Sequence, residues 1–385
     1  MTDIILDEAG AGILDEAGYA IFEEGAVGAM AVVYSSDCPA GLKRVTADSA
    51  YVWQCDGTAD QVQVNDAINA VAATGQTSSA PPSGGGGSVI LVGYNFNFSA
   101  PAQIQSWVDL SGAFGWKACQ INAASGFSGT ALIEVGQTYT EYTRIHDLCL
   151  VGSGSGSEHG IYYNSQTDQT PFTDNDPCHN LNNLVIRQSG GAALYFNASC
   201  RVSMVGPNIR IHSPGTYGVY GNGLTDSQII GVQTLGSGSD GFYVGSTDCI
   251  YSACHSYNSN EYGWNIASSG LRSLITGCHA EDSSKHNWFV QASKLQLVGC
   301  TSDSAGLGNA NTYDGFNIVA GGTSIYMTGC QSFDRNASPH QRYGVYMNGT
   351  TTQSRIQCST YNNDTGSFGG TTTPGTGSAY DVFGT

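Results

Sequence analysis

The chain has 385 residues, of which 52 are glycine and only 11% are charged, with 13 lysines and arginines against 31 aspartates and glutamates for a net charge of −18. So few basic side chains exclude a phosphate-backbone binder or a protein docked on anionic lipid, and no apolar run reaches the roughly 18 residues of a membrane span. At 40% hydrophobic residues the chain has ample material for a core, so its low charge does not signal disorder.

The acid is concentrated at the start. Met1 to Leu42 hold eight acidic residues and no basic one. Ile5-Leu6-Asp7-Glu8-Ala9-Gly10 recurs as Ile13-Leu14-Asp15-Glu16-Ala17-Gly18, and more loosely as Ile21-Phe22-Glu23-Glu24-Gly25. Each octad reads as a short strand and a tight turn. It buries too little to fold alone, so residues 1–49 are expected either to pair with a partner or their own copies, or to form a flexible acidic leader. The basic and apolar segments of a secretory signal are missing from this start.

The main domain is expected to open with a strand at Tyr51-Val52-Trp53-Gln54-Cys55 and a turn at Asp56-Gly57-Thr58-Ala59-Asp60. Val64, Ile68, Val71 and Ala72 then follow at helical spacing, predicting a helix over 60–73 with Asp60 as N-cap and Gln63 completing a capping box. A Ser/Pro/Gly-rich run ends it, and Val89-Ile90-Leu91-Val92 reads as a buried strand. This succession of strand, Asp-Gly-Thr-Ala-Asp turn, amphipathic helix, Gly-rich link and apolar strand resembles the entry to pectate-lyase-like right-handed parallel β-helices, among them phage tailspikes and tail fibres. The resemblance implies an all-β solenoid of three strands per coil, with the helix closing its open end.

The remainder carries the repeat. A strand with a small anchor residue recurs at Gly160, Ala193, Gly218, Gly241, Gly263, Asn287, Gly315 and Gly344, at successive intervals of 33, 25, 23, 22, 24, 28 and 29 residues. Variable loops inserted into constant coils give this pattern. A second column, Ile209, Val232, Cys254, Cys278, Cys300, Cys330 and Cys358, reads as inward-facing core. A third strand per coil is suggested by Ser227/Ile229, Ser273/Ile275, Leu295/Leu297 and Ile325/Met327. The solenoid is therefore expected over 50–363. Residues 364–385, rich in Gly, Thr and Ser, read as a loose tail or an exchanged cap. The excursion from Gln166 to His179, with Asp168, Asp174 and Asp176, reads as a binding loop or a neutral insertion. The twelve cysteines sit at coil-like intervals and are expected to be mostly reduced and buried. No Cys or His cluster has zinc-site spacing, so neither a metal nor a cofactor is expected.

Outward positions of the anchored strand are Tyr162, Tyr195, Tyr220, Tyr243, Asn265, Phe289, Asn317 and Tyr346. An outward aromatic stripe of this length implies a subunit contact, a glycan surface, or plain cross-strand stacking. Glu281 and Asp303 each stand three residues after a column cysteine. They are therefore expected on adjacent coils at about 5 Å, a spacing that suits a retaining glycosidase pair, or else as solvated turn acids. Asp240, Glu261, Asp282, His255 and His279 lie nearby. Basic residues are scarce around Glu281, with Arg272 and Lys285 the nearest, which disfavours lyase chemistry. The resemblance to tailspikes implies a homotrimeric virion protein, made in the host cytoplasm. The hydrophobic pairs of the octads (Ile5, Leu6, Ile13, Leu14, Ile21, Phe22) would attach it to tail or baseplate proteins, and the rod would contact host cell-surface polysaccharide. A polysaccharide depolymerase and a non-binding head or tail decoration are the rival expectations, and neither nucleic acid nor membrane insertion is expected.

Overall fold

In the computed structural model, the described residues are 29–43, 51–73, 86–136, 140, 142–154, 156–164, 179–197, 200–201, 203–319, 323–371 and 373–384. The octad repeats with Ile5, Leu6, Ile13, Leu14, Ile21 and Phe22, and nearly all of the 166–179 excursion, lie outside them. Among the described residues there is one α-helix, Gln61–Ala73, and strands account for nearly everything else that is regular. The chain winds as a parallel β-solenoid, as the repeat predicts and as the resemblance to right-handed β-helices implies. A representative coil has strands Val219–Gly221, Gln228–Ile230 and Val232–Leu235. These pair in parallel with Phe242–Val244, Ile250–Ser252 and His255–Tyr257 of the next coil.

Single-residue left-handed turns give the coil its corners. Between the second and third strands the column runs Asn208, Gly231, Ala253, Gly277, Gly299 and Gly329, with φ of 60°, 62°, 52°, 59°, 61° and 63°. Asn and Gly are the residues that tolerate this conformation most cheaply. A Cβ at Gly277 would meet nothing within 4 Å, so glycine is there for its dihedral angle and not for room. The anchor glycines answer a different need. A Cβ at Gly241 would stand 1.9 Å from Ser256 Oγ on the facing strand of its own coil. Where the anchor is Asn287, its buried amide donates instead to Ser302 Oγ and to the Asp303 carbonyl, both at 2.9 Å.

The interior is filled by ladders of like side chains. Phe242, Trp264, Trp288 and Phe316 stack with centroids 4.1, 4.9 and 5.5 Å apart, and both indoles donate to main-chain carbonyls. The predicted cysteine column is buried throughout, and the eleven described cysteines are all free thiols. Cys254 and Cys300 donate to the carbonyls of Ile229 and Ile275 one coil back, each at 3.4 Å. Burial drives the Cys278 and Cys358 thiols far above their ordinary range, which makes them inert.

At the ends the structure differs from the sequence expectation. The solenoid already begins at Ala29–Tyr34, which pairs with Val52–Gln54 and with Gly87–Val92, so part of the expected attachment segment belongs to the rod. The helix starts at Gln61 with Asp60 in the expected N-cap position, its carbonyl accepting from the Val64 amide, but the Asp60 side chain is engaged elsewhere. Its carboxylate accepts from the Gly57 and Asn97 amides at 2.9 and 2.8 Å, while its own amide donates to the Asn97 carbonyl. Gln61 likewise accepts from the Ser99 amide, and Asn65 bridges the Pro101 carbonyl and the Gln103 amide. Helix side chains thus satisfy the backbone edge of the first coil, a liability when left open. The Gln63 side-chain oxygen has no partner, so no capping box forms. The C-terminal stretch is not a loose tail: Gly366–Gly370 and Ala379–Gly384 add one more coil onto Tyr343–Asn348 and Arg355–Tyr361.

Candidate functional site

Two outward surfaces hold the predicted residues. The first is the anchored-strand face. All eight expected rungs stand in register: Tyr162, Tyr195, Tyr220 and Tyr243, then Asn265, Phe289, Asn317 and Tyr346. The four tyrosines form a continuous half-buried stack. Ring centroids are 5.4, 4.5 and 4.7 Å apart, and the upper two contacts lie within 11–14° of parallel. Tyr195, Tyr220 and Tyr243 cover one another's ring faces, while Tyr162 is tilted against Tyr195 by 43°. What they present to the outside is ring edges and a row of phenol groups at the coil repeat. Burial and the neighbouring tyrosines push Tyr220 up to about 12, so the hydroxyl stays protonated and can both donate and accept.

Residues just before the anchors broaden this surface. His159 stacks on Tyr195 at 4.3 Å, Tyr217 tilts against Tyr220 at 5.0 Å, and Tyr262 stacks on Phe289 at 4.7 Å. They were not singled out from sequence, although they share one signal: each stands one or two residues before a predicted rung strand. The same column holds buried acids. Asp240 accepts from the Tyr262 amide at 3.1 Å and from the Asn265 side chain at 2.9 Å, and burial lifts its carboxyl to about 6. Asp314, fully buried, is held by both Arg342 donors at 2.9 Å and by Asn317 at 2.8 Å. The aromatic ladder is interrupted at Asn265 and Asn317 because these amides serve the buried acids.

The second surface is the outward side of the third strands. Glu281 and Asp303 are register partners on adjacent coils, as the cysteine spacing predicts. A residue that sequence reasoning did not bring there completes the arrangement. Arg335, on the loop that follows Phe333, donates to Glu281 at 3.3 Å and to Asp303 at 2.7 Å, and also pairs closely with Asp282. A guanidinium bonded to both carboxylates fills the gap between them, where a retaining glycosidase pair must admit the sugar. His279, on the same strand as Glu281, stacks on His255 of the previous coil at 4.8 Å, and Nε2 of His255 lies 3.3 Å from Glu281. Burial and the adjacent His255 push His279 below its ordinary value. Among the described residues His255, His279 and Glu281 are the one group whose donor atoms converge as a metal site requires.

No protein-family model matches this chain, and no curated protein is similar to it in sequence. Solved structures share its fold. The A-module of a mannuronan C-5 epimerase from Azotobacter vinelandii superposes with a TM-score of 0.62 at 14% identity, over 84% of this chain and 96% of that one. A full-length tailspike protein 2 from an Escherichia coli O157:H7 bacteriophage gives 0.56 at 11% identity, over 94% of this chain and 45% of that one. A DFA-IIIase from Arthrobacter chlorophenolicus A6 gives 0.54 at 12% identity, over 87% and 85%.

Proposed function

We propose that the chain is a tailspike-like surface protein that contacts polysaccharide along the tyrosine face. The observation that carries this is the row of phenol groups on Tyr162, Tyr195, Tyr220 and Tyr243, whose rings repeat at 4.5–5.4 Å on a rigid sheet. A polysaccharide is a repeating array of hydroxyl groups, and a periodic row of groups that both donate and accept suits it. Sites on regular strands hold such positions better than loops do. The fold supports the reading, since it is shared with a phage tailspike and with an enzyme named for mannuronan. Contact here is by hydrogen bonding from ring edges, because the ring faces are already used in stacking.

The decisive comparison is the triple variant Tyr195→Phe, Tyr220→Phe, Tyr243→Phe, which keeps the stack and deletes the phenols. Wild type is expected to adsorb to at least one member of a panel of capsule and lipopolysaccharide preparations. The variant is expected to lose at least tenfold in affinity with an unchanged melting temperature. Equal adsorption by both proteins, or no adsorption by wild type, removes the reading. In this role the chain forms a homotrimer on a virion, with the octads of residues 1–49 as the attachment to tail or baseplate proteins. A monomer in light scattering of the full chain counts against that assembly.

Arg335, bonded to both Glu281 and Asp303, fills the space a sugar would need between them, which favours binding over hydrolysis at that pair.

A further inference from the structure

We propose that His255, His279 and Glu281 form a binding site for a divalent transition-metal ion, with zinc the best match. His255 and His279 are register partners on adjacent coils, and Glu281 lies two residues beyond His279 on the same side of its strand. One donor atom from each of the three falls within 4.8 Å of the others. Glu281 Oε1 is 3.3 Å from His255 Nε2, and its Oε2 is 4.0 Å from His279 Nε2.

The second observation concerns those nitrogens. Both Nε2 atoms are shielded from solvent and make no hydrogen bond. An occluded polar atom that makes no hydrogen bond is unfavourable, and here two such atoms face one carboxylate. A metal ion between them takes up both lone pairs at once.

Arg335 bridges Glu281, Asp282 and Asp303 and so holds the Glu281 side chain beside the two histidines. Two imidazoles and one carboxylate select the metal class, because calcium and magnesium prefer all-oxygen ligands. Zinc–nitrogen bonds are about 2.0–2.1 Å, so the stacked rings must tilt toward each other about their Cβ–Cγ bonds when the ion enters. A bound ion would pin two adjacent coils together at the point where Arg335 already ties the next loop down. The site is independent of the tyrosine face and of the glycan reading.

Calorimetric titration of the EDTA-treated full chain with zinc chloride tests this. One zinc per chain is expected, with a rise in melting temperature. Cobalt(II) is expected to give the visible absorption of a nitrogen-ligated, low-coordinate ion. His279→Ala and, separately, Glu281→Gln are each expected to weaken zinc by at least tenfold, and the two-histidine variant His255→Ala, His279→Ala to abolish it. His212→Ala, on the same face but outside the cluster, is expected to leave binding unchanged. Should the two-histidine variant misfold, the single Glu281→Gln change, which preserves shape, carries the test alone. No zinc uptake by wild type, or uptake that survives all three cluster variants, overturns the proposal.

Discussion

Asp240 shows how a single buried group on the tyrosine face sets a pH dependence. Its carboxyl ionises near pH 6 in the folded chain because burial outweighs the hydrogen bonds from Tyr262 and Asn265. The ordinary value is about 3.9. A raised carboxyl stabilises the fold below the unfolded value, and that contribution is lost as pH rises through 6. Asp240→Asn removes the titration. Urea unfolding at pH 4 and pH 8 is expected to show wild type losing roughly 2 kcal/mol more than the variant over that interval. A difference between the two proteins that stays constant with pH would mean that Asp240 is already ionised at pH 4. The outward tyrosines were legible in the sequence because the anchor residue repeats, and their burial pattern follows from strand alternation. The acids at Asp240 and Asp314 were not assignable in the same way. Whether an acid before the anchor points to solvent or into the corner depends on which amide waits for it, and Asn265 and Asn317 read equally well as ordinary rungs.

The elements are governed by their corners. At one column of left-handed turns Gly277 and Ala253 adopt nearly the same φ, 59° and 52°, yet only one of them carries a Cβ. A Cβ in this conformation costs roughly 1–2 kcal/mol, partly offset by the lower chain entropy of alanine when unfolded. Since Gly277 has open space around it, Gly277→Ala is a pure test of the dihedral term. It is expected to destabilise by about 1 kcal/mol. Ala253→Gly is expected to be neutral or slightly stabilising, and equilibrium denaturation measures both. If both substitutions destabilise equally, packing and not the turn decides the column. Strand positions could be derived from sequence because one anchor and one cysteine column fix two of the three sides. The ends could not. Asp60 has the composition and spacing of a helix cap, but a solenoid's exposed backbone edge competes for the same carboxylate, and the edge wins. The last coil was missed because Gly, Thr and Ser carry no apolar alternation, although Gly366–Gly370 needs none when the strand beside it supplies the pattern. Arg335 was hidden for a related reason, since its contact depends on the path of a loop and not on coil register.

For the whole molecule, every coil contacts its neighbours and little else, so stability is close to a sum of nearest-neighbour terms along the rod. The capping helix closes one end, and the aromatic stack Phe242–Trp264–Trp288–Phe316 occupies the middle. Trp288 is fully buried, lies between Trp264 and Phe316, and donates to the Thr301 carbonyl at 3.0 Å. Trp288→Ala removes both stacking contacts and that hydrogen bond, a loss of about 3–5 kcal/mol for a large aromatic cavity. In a globular core such a loss lowers the protection of every slow amide together. In a solenoid it falls on two interfaces only. Hydrogen exchange of the variant is therefore expected to accelerate most in the coils between Phe242 and Ile318, while the coils next to the helix, around Val89–Leu110, keep wild-type protection. Uniform acceleration along the chain would show that the rod unfolds as one cooperative unit. The localised pattern follows from nearest-neighbour stability, because damage in one coil then leaves the coils on either side of it able to hold their surface.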